Sequence, residues 1–210
     1  MGILPETKAD MDRVKRLLSS FDSISVRETD LKELLLELGY GATVQTLDPT
    51  LLVPINVWNK YLSPTKIKKS YILVYALNEA FNMDEVNKFA KEKKLEVITL
   101  LGSATHFDTE EEITTAGPFE FLTLIKNAQY VFSSSFHGLA FSLIFNKELF
   151  VSFKTNSSRV KSLLALLGIS ERFVEPSSVI PSNIPMIDYN SVNAKLEELR
   201  QDSINFLKSL

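Results

Sequence analysis

The stretch YVFSSSFHGLAFSLIFNKELFVSF, residues 130–153, gives the clearest indication of the fold. It opens with a short apolar run at Tyr130–Ser134, which is typical of a strand that is buried on both faces. A run with helical spacing follows from Phe136 to about Asn146, and a second apolar run covers Glu148–Phe153. A strand, a helix and a strand in such close succession predict two parallel strands joined by a helix.

The same alternation extends along the rest of the chain. Because the predicted strands are rich in Ile, Leu, Val and Phe without polar alternation, both of their faces are expected to be buried. We therefore predict an α/β fold, a Rossmann-like parallel sheet with helices on both faces. The predicted helices cover Lys8–Ser20, Thr29–Gly41, Met83–Lys94, Pro118–Ala128, Ser157–Gly168 and a segment from about Tyr189, and the other strands cover Asp22–Glu28, Thr43–Leu52, Ser70–Leu77 and Glu96–Gly102.

Local signals refine the ends of these elements. Thr29 or Asp30 is predicted to cap the second helix, because short polar side chains satisfy the first N–H groups of a helix. Thr43–Leu52 is interpreted as a strand that ends in a proline-containing turn. The acidic run Asp108–Glu112 is interpreted as a solvated loop or a first helical turn.

Composition bounds the class of protein. The 210 residues can bury a substantial core, and a single domain over residues 1–210 is the simplest prediction. Lys and Arg are scattered among Asp and Glu for a formal net charge of -3, so nucleic acid is not expected as a partner. No apolar run approaches the roughly 18 residues of a membrane span. The absence of cysteine excludes disulfides and thiolate metal sites, and it favours the cytoplasm.

Short motifs of common cofactor and metal enzymes are absent. The chain has 7 glycines and contains no GxGxxG, GxxxxGK[ST], HExxH or GxSxG pattern. Dinucleotide and P-loop chemistry are therefore disfavoured. No cofactor is predicted, and nothing in the sequence requires a metal.

Two strand-to-helix junctions carry the candidate chemistry. Ligands of open parallel sheets bind beyond the carboxyl ends of the strands, where Arg27 and His137 are both expected, at neighbouring strand ends. The helix start at His137 offers unpaired N–H groups and the positive end of a dipole, so it favours an anion. The serine run before it adds donors, and Gly138 is expected to let the backbone approach a ligand. Arg27 supplies a planar fork that matches a carboxylate or phosphate.

Each candidate also has a structural interpretation. His137 could serve only as a capping or packing residue, and His106 is expected in a solvent-exposed loop. Arg159 is either a surface residue of its helix or a second anion contact, because Asn156 and Ser157 place it at a helix start. Spacing alone leaves these alternatives open.

Four stretches together resemble the polysaccharide pyruvyl transferase family. They are SVRE, LDPTLL, GPFEFLTLIKNAQYVFSSSFHGLAFSLIFNKELF and NSSRVKSLLALLGISERF, which occur in this order between Asp22 and Phe173. The resemblance implies a domain similar to the C-terminal half of a two-domain GT-B fold. It also implies transfer of a pyruvyl group from phosphoenolpyruvate to sugar hydroxyls in cell-surface polysaccharide synthesis, with exopolysaccharide precursors as acceptors.

The resemblance assigns roles to individual residues. Arg27 in SVRE and His137 in SFHG match family residues that hold phosphoenolpyruvate, and both are predicted to be catalytic. The predicted substrate-binding residues are Ser134, Ser135, Phe136, Gly138 and Arg159, with the amides of the first three facing the donor. The family's acceptor-side domain has no counterpart in residues 1–210, so a separately encoded acceptor domain is one expected partner and a homo-oligomer another.

Two other functions stay open at this point. The nucleotide-binding half of a sugar-nucleotide glycosyltransferase would share the sheet and the anion site, and Glu120 in GPFEF would be its ribose-binding acid. A domain that only binds a protein or glycan would instead expose an apolar face on its first or last helix.

Overall fold

The computed structural model describes residues 7–65, 67–76, 80–100, 111–113, 116–155 and 157–210. Its centre is a five-stranded parallel sheet in the spatial order β5-β4-β3-β6-β7. The strands of this sheet are β3 (Tyr71–Tyr75), β4 (Glu96–Leu100), β5 (Glu111–Ile113), β6 (Tyr130–Ser133) and β7 (Glu148–Val151). The predicted parallel sheet is confirmed.

Helices cover the sheet on both faces, as predicted. One face packs against a large apolar cluster that includes Leu73, Val131 and Leu149, and the other packs against a smaller cluster that includes Ile72 and Phe132. The described α-helices are α1 (Lys8–Leu18), α2 (Thr29–Glu37), α3 (Pro49–Leu52), α4 (Ile55–Trp58), α5 (Met83–Lys93), α6 (Pro118–Asn127), α7 (Phe136–Ile144), α8 (Ser158–Leu167) and α9 (Tyr189–Lys208), with 3-10 turns at Asn59–Tyr61 and Ser170–Arg172. No helix in these ranges is long and apolar enough to cross a membrane.

The strand that precedes Arg27 lies outside the main sheet. It is β1 (Ser25–Val26), which pairs in parallel with β2 (Val44–Gln45) in a separate two-stranded sheet. Arg27 therefore does not follow a strand that neighbours the His137 strand, and this expectation from the sequence is wrong. The helix α2, which joins these two-residue strands, packs on both of them and on α8.

Three other local predictions differ from the structure. The cap of α2 is Glu28, without a side-chain hydrogen bond, because the Thr29 N–H donates to Ser162 Oγ of α8 at 3.2 Å. Thr43–Leu52 is only briefly a strand, since Pro49 begins α3. Glu111 and Glu112 belong to β5, where pairing with the edge of β4 overrides their low strand propensity.

Candidate anion-binding site

The carboxyl ends of β3 and β6 meet at the centre of the sheet. From β3 the chain moves outward through β4 to β5, then returns to β6 and continues to β7 on the other side. The strand order therefore reverses between β3 and β6, which is the point where open α/β sheets bind ligands. Residues that follow β6 lie at this point, and they include the predicted serines and His137.

The serine run is tied to β3 by internal hydrogen bonds. Ser133 Oγ donates to the Tyr75 carbonyl at 3.1 Å and accepts from the Ser135 N–H at 3.0 Å. The Ser134 N–H donates to the same Tyr75 carbonyl at 3.1 Å. The amides of Ser134 and Ser135 are thus engaged within the fold, so the prediction that they contact a phosphate is wrong. Because their side chains are also buried, these serines shape the turn.

Position 138 has to be a glycine because the first turn of α7 lies very close to Ser133 and Tyr75. A Cβ atom at this position would lie 2.1 Å from Ser133 Oγ and 3.2 Å from Tyr75 Cδ1. The contact at 2.1 Å is far shorter than van der Waals distance and the one at 3.2 Å is tight, so only glycine lets α7 pack this near the strand ends. The prediction that Gly138 makes room for a ligand is corrected accordingly, since the side chain of Ser133 takes that space.

The first turn of α7 presents donors and one exposed ring. Phe136 is buried, whereas His137, the next residue, is exposed. Ser135 gives α7 no side-chain cap, and the intrahelical pattern begins with the Leu139 N–H, which donates to the Ser135 carbonyl at 3.1 Å. The N–H groups of Phe136, His137 and Gly138 precede that bond. They form the positive end of the helix, where an anion is stabilised.

Arg27 and Arg159 line one narrow cleft with Phe136. The cleft has a volume of about 20 Å³ and lies between the β2–α3 segment, α7 and α8. Its described lining residues are Arg27, Gln45, Thr46, Leu47, Asp48, Leu51, Phe136, Arg159, Leu163, Leu166 and Leu199. The structure thus brings Arg27, Arg159 and Phe136 together, while His137, Ser134, Ser135 and Gly138 are not part of this lining.

Asp48 holds the Arg27 side chain. Its buried carboxylate forms an ion pair with the Arg27 guanidinium and also accepts a hydrogen bond from the Thr50 N–H at 3.0 Å, which caps α3. Burial by itself raises the pKa of Asp48, but the hydrogen bonds from Thr50 and the charge of Arg27 outweigh burial and hold the pKa below its usual value of 3.8. Asp48 is therefore a carboxylate at neutral pH.

Arg159 is held more loosely. Its guanidinium lies over the Phe136 ring, 4.4 Å from the ring centre, in a cation–π arrangement. Its Nε is 3.9 Å from Glu28 Oε1, which is the outer limit of an ion pair. Both side chains are partly exposed, at 34% for Arg159 and 26% for Glu28. Arg159 therefore lines the cleft, and its role as a second anion contact stays a prediction.

A wider depression of about 440 Å³ adjoins the cleft and shares Arg27, Thr46 and Leu47 with it. Residues of α9, including Ser203 and Leu207, line its wall. Ser203 Oγ accepts a hydrogen bond from the Leu47 N–H at 2.9 Å, which joins α9 to this segment. A ligand at Arg27 can therefore extend beyond the narrow cleft.

Sequence reasoning missed both acidic partners of the arginines. The Asp48-Pro49 pair was a usable signal for Asp48, because a capping residue followed by proline at the first helical position marks a helix start. Glu28 gave no comparable signal, since its contact with Arg159 depends on how α2 packs on α8. His106 and Asn156 lie outside the described residues.

Comparison with solved structures finds glycosyltransferases and UDP-N-acetylglucosamine 2-epimerases. The glycosyltransferase SnogD from Streptomyces nogalater is 14% identical over 84% of this chain and 59% of its own, with a TM-score of 0.44. A putative UDP-N-acetylglucosamine 2-epimerase from Listeria monocytogenes is 11% identical over 95% of this chain and 56% of its own, with a TM-score of 0.47. The chain thus spans less than two thirds of either protein.

Comparison with sequence families is more specific. No curated protein matches the chain. Residues 1–152, however, match the polysaccharide pyruvyl transferase family, and the matched segment contains Arg27, Asp48 and the whole first turn of α7. Arg159 follows the end of this match. The chain belongs to the polysaccharide pyruvyl transferase family, a family of transferases.

Proposed function

We propose that this chain supplies the donor-binding part of a pyruvyl transferase, with phosphoenolpyruvate as donor and a hydroxyl of a cell-surface polysaccharide precursor as acceptor. The observation that carries the proposal is the convergence of Arg27 and Arg159 on one cleft beside the start of α7. Two guanidinium groups match a ligand that carries both a phosphate and a carboxylate. Membership of the family supports the pyruvyl group as the part that is transferred.

Individual residues of the chain would then have separate roles in binding and in transfer. Arg27 and Arg159 bind the anionic groups of the donor, and the N–H groups of the first α7 turn add donors at the positive end of the helix. Protonation of the donor methylene allows a sugar hydroxyl to attack the adjacent carbon. That hydroxyl loses its proton and phosphate leaves as the bond between the carbon and the phosphate oxygen breaks, and a second hydroxyl then bonds to the same carbon and loses its proton to close the ketal. His137 is exposed at the same turn, where its imidazole can transfer a proton or stabilise the leaving phosphate.

Ligand-linked stabilisation tests this assignment. Phosphoenolpyruvate at roughly tenfold its dissociation constant should raise the melting temperature, because binding to the native state stabilises it by RT ln(1 + [L]/Kd). Arg27→Lys keeps the charge but loses the bidentate fork, so the affinity should fall by about 10-fold or more and should not recover at low salt. Arg13→Lys makes the same chemical change on the exposed surface of α1 and serves as the control.

A UDP- or GDP-sugar in the same assay tests the alternative. Glu120 lies in the first turn of α6, is exposed, and accepts a hydrogen bond from Ser63 Oγ at 3.4 Å, so it is available to a ribose. Stabilisation by a sugar nucleotide and not by phosphoenolpyruvate, with loss of the effect in Glu120→Gln, would overturn the pyruvyl donor in favour of a glycosyltransferase.

One observation favours a binding role in addition. Helix α1 has no buried residue, and its apolar side includes Leu17, which is 58% exposed, next to Phe21, which is 63% exposed. Such a surface is typical of a contact with another protein. Leu17→Glu should then change the state of association in sedimentation while the response to phosphoenolpyruvate persists. The cytoplasmic location, the single-domain organisation and the identity of any homo-oligomer or acceptor-domain partner stay predictions.

A further inference from the structure

The charges of the cleft are balanced within the chain. Arg27 pairs with Asp48, and Arg159 lies near Glu28. Each cation that is proposed to bind an anion thus already faces a carboxylate that belongs to the fold. A carboxylate at this distance lowers the attraction of an arginine for any anion in solution.

The two carboxylates differ in how firmly they are held. Asp48 is 6% exposed, caps α3 through Thr50, and has a lowered pKa, so it is a fixed part of the cleft. Glu28 is held at one atom pair, Oε1 to Arg159 Nε at 3.9 Å, and its carboxylate accepts no hydrogen bond from the residues that the structure describes. Glu28 can therefore leave its arginine at little cost, whereas Asp48 cannot.

The size of the cleft indicates what an anion inside it does to Arg159. A volume of about 20 Å³ accommodates roughly one water molecule and no phosphate group. The guanidinium of Arg159, stacked on Phe136, forms part of its lining. An anion that enters the cleft between the two arginines therefore displaces the Arg159 guanidinium, and the 3.9 Å contact with Glu28 is lost with it.

We propose that Glu28 is an internal competitor for the anionic ligand. Its carboxylate pairs with Arg159 when no anion is bound, separates from Arg159 when an anion binds, and pairs with it again when the anion leaves. This inference rests on the proposed function and deepens it, because it names a residue that keeps phosphate-type ligands from binding too tightly. The same competition would hasten the release of inorganic phosphate after transfer.

The test is Glu28→Gln, which keeps the size of the side chain and removes its charge. Calorimetric titration with phosphoenolpyruvate and with inorganic phosphate should show both binding roughly 3–10-fold more tightly to this variant than to the parent. The gain should lie in a slower dissociation rate, measured by stopped-flow. In an Arg159→Gln background, Glu28→Gln should bring no gain, because its effect passes through Arg159.

Glu175→Gln is the matched control, since Glu175 pairs with Lys161 of α8 at 3.4 Å and is not part of the cleft. It should leave both affinities unchanged. If the parent binds phosphoenolpyruvate through Arg27 while Glu28→Gln binds it equally or more weakly, this inference is overturned and the proposed function stands. If neither the parent nor Glu28→Gln binds either anion, both are overturned.

Discussion

Gly138 and Ser133 approach each other so closely that a single methyl group cannot be placed between them. The Cβ of an alanine at position 138 would lie 2.1 Å from Ser133 Oγ and 2.8 Å from Ser133 Cβ. Ser133 itself is completely buried, and its Oγ donates a hydrogen bond to the Tyr75 carbonyl. The start of α7, and with it the candidate site, is therefore positioned by contact between a glycine and a strand end.

Gly138→Ala should destabilise the fold by about 1–3 kcal/mol, because the added methyl group forces α7 away from β6. Gly41→Ala is the control, since a Cβ there meets nothing within 4 Å and should change little. Urea unfolding monitored by circular dichroism measures both. Equal stability of the two variants would contradict the close packing.

His137→Asn should leave the melting temperature nearly unchanged, because the ring is exposed and makes no cap. If His137 serves the donor, phosphoenolpyruvate affinity or turnover should still fall, by roughly 10-fold for the loss of a charge-assisted hydrogen bond. The paired measurement of melting temperature and ligand affinity separates the two roles. A lower melting temperature with unchanged phosphoenolpyruvate affinity would show that His137 has a structural role only.

Asp48→Asn should remove a pH-dependent part of the stability. The lowered pKa of Asp48 means that its ionised form stabilises the native state. That contribution is fully present above about pH 5 and is lost as the pH falls through the native pKa, below 3.8. The parent should thus exceed the variant by about 0.5–1.5 kcal/mol at pH 7, since Arg27 is partly exposed, and the difference should shrink on acidification. A difference that is constant from pH 7 to pH 3 would contradict the ion pair.

Arg172 and Glu148, which are not among the cleft's described lining residues, form a buried ion pair at 3.0 Å, with side chains 2% and 8% exposed. Glu148→Gln should cost about 3–5 kcal/mol, because it leaves a buried guanidinium with only the half-exposed Glu171, 3.5 Å from its Nε, as countercharge. The double variant Glu148→Gln, Arg172→Met should recover part of that loss. Chemical unfolding of the single and double variants tests the coupling, and simple additivity would exclude it.

The sequence predicts the sheet well because its strands are continuous apolar runs. Tyr71–Tyr75 and Tyr130–Ser133 were recognisable from that pattern alone. The three-residue strand β5 was not recognisable, since Glu111–Ile113 has no such pattern and owes its conformation to the edge of β4.

The candidate site was predicted in part. Arg27, Phe136 and Arg159 are indeed close in space, although for a reason that spacing did not reveal, the packing of α2 and α8 beside the start of α7. The prediction that the Ser134 and Ser135 amides bind the donor was wrong, because these N–H groups donate to Tyr75 of β3 and to Ser133. Those hydrogen bonds depend on the three-dimensional packing, which the sequence pattern does not show. The acid that pairs with each arginine likewise becomes visible only in three dimensions.

The hydrogen bond between Leu47 and Ser203 joins residues that are 156 positions apart, and it has a consequence for folding. Contacts of such sequence separation form late, since the intervening chain must first lose its freedom. During synthesis, α9 is made after every strand of the sheet. Until α9 has been made, the β2–α3 segment that carries Asp48 therefore lacks its contact with Ser203. A nascent chain that is stalled before α9 leaves the ribosome should therefore hold a folded sheet beside an unfinished anion site, and pulse proteolysis of such chains would cut near residue 47 until α9 has emerged.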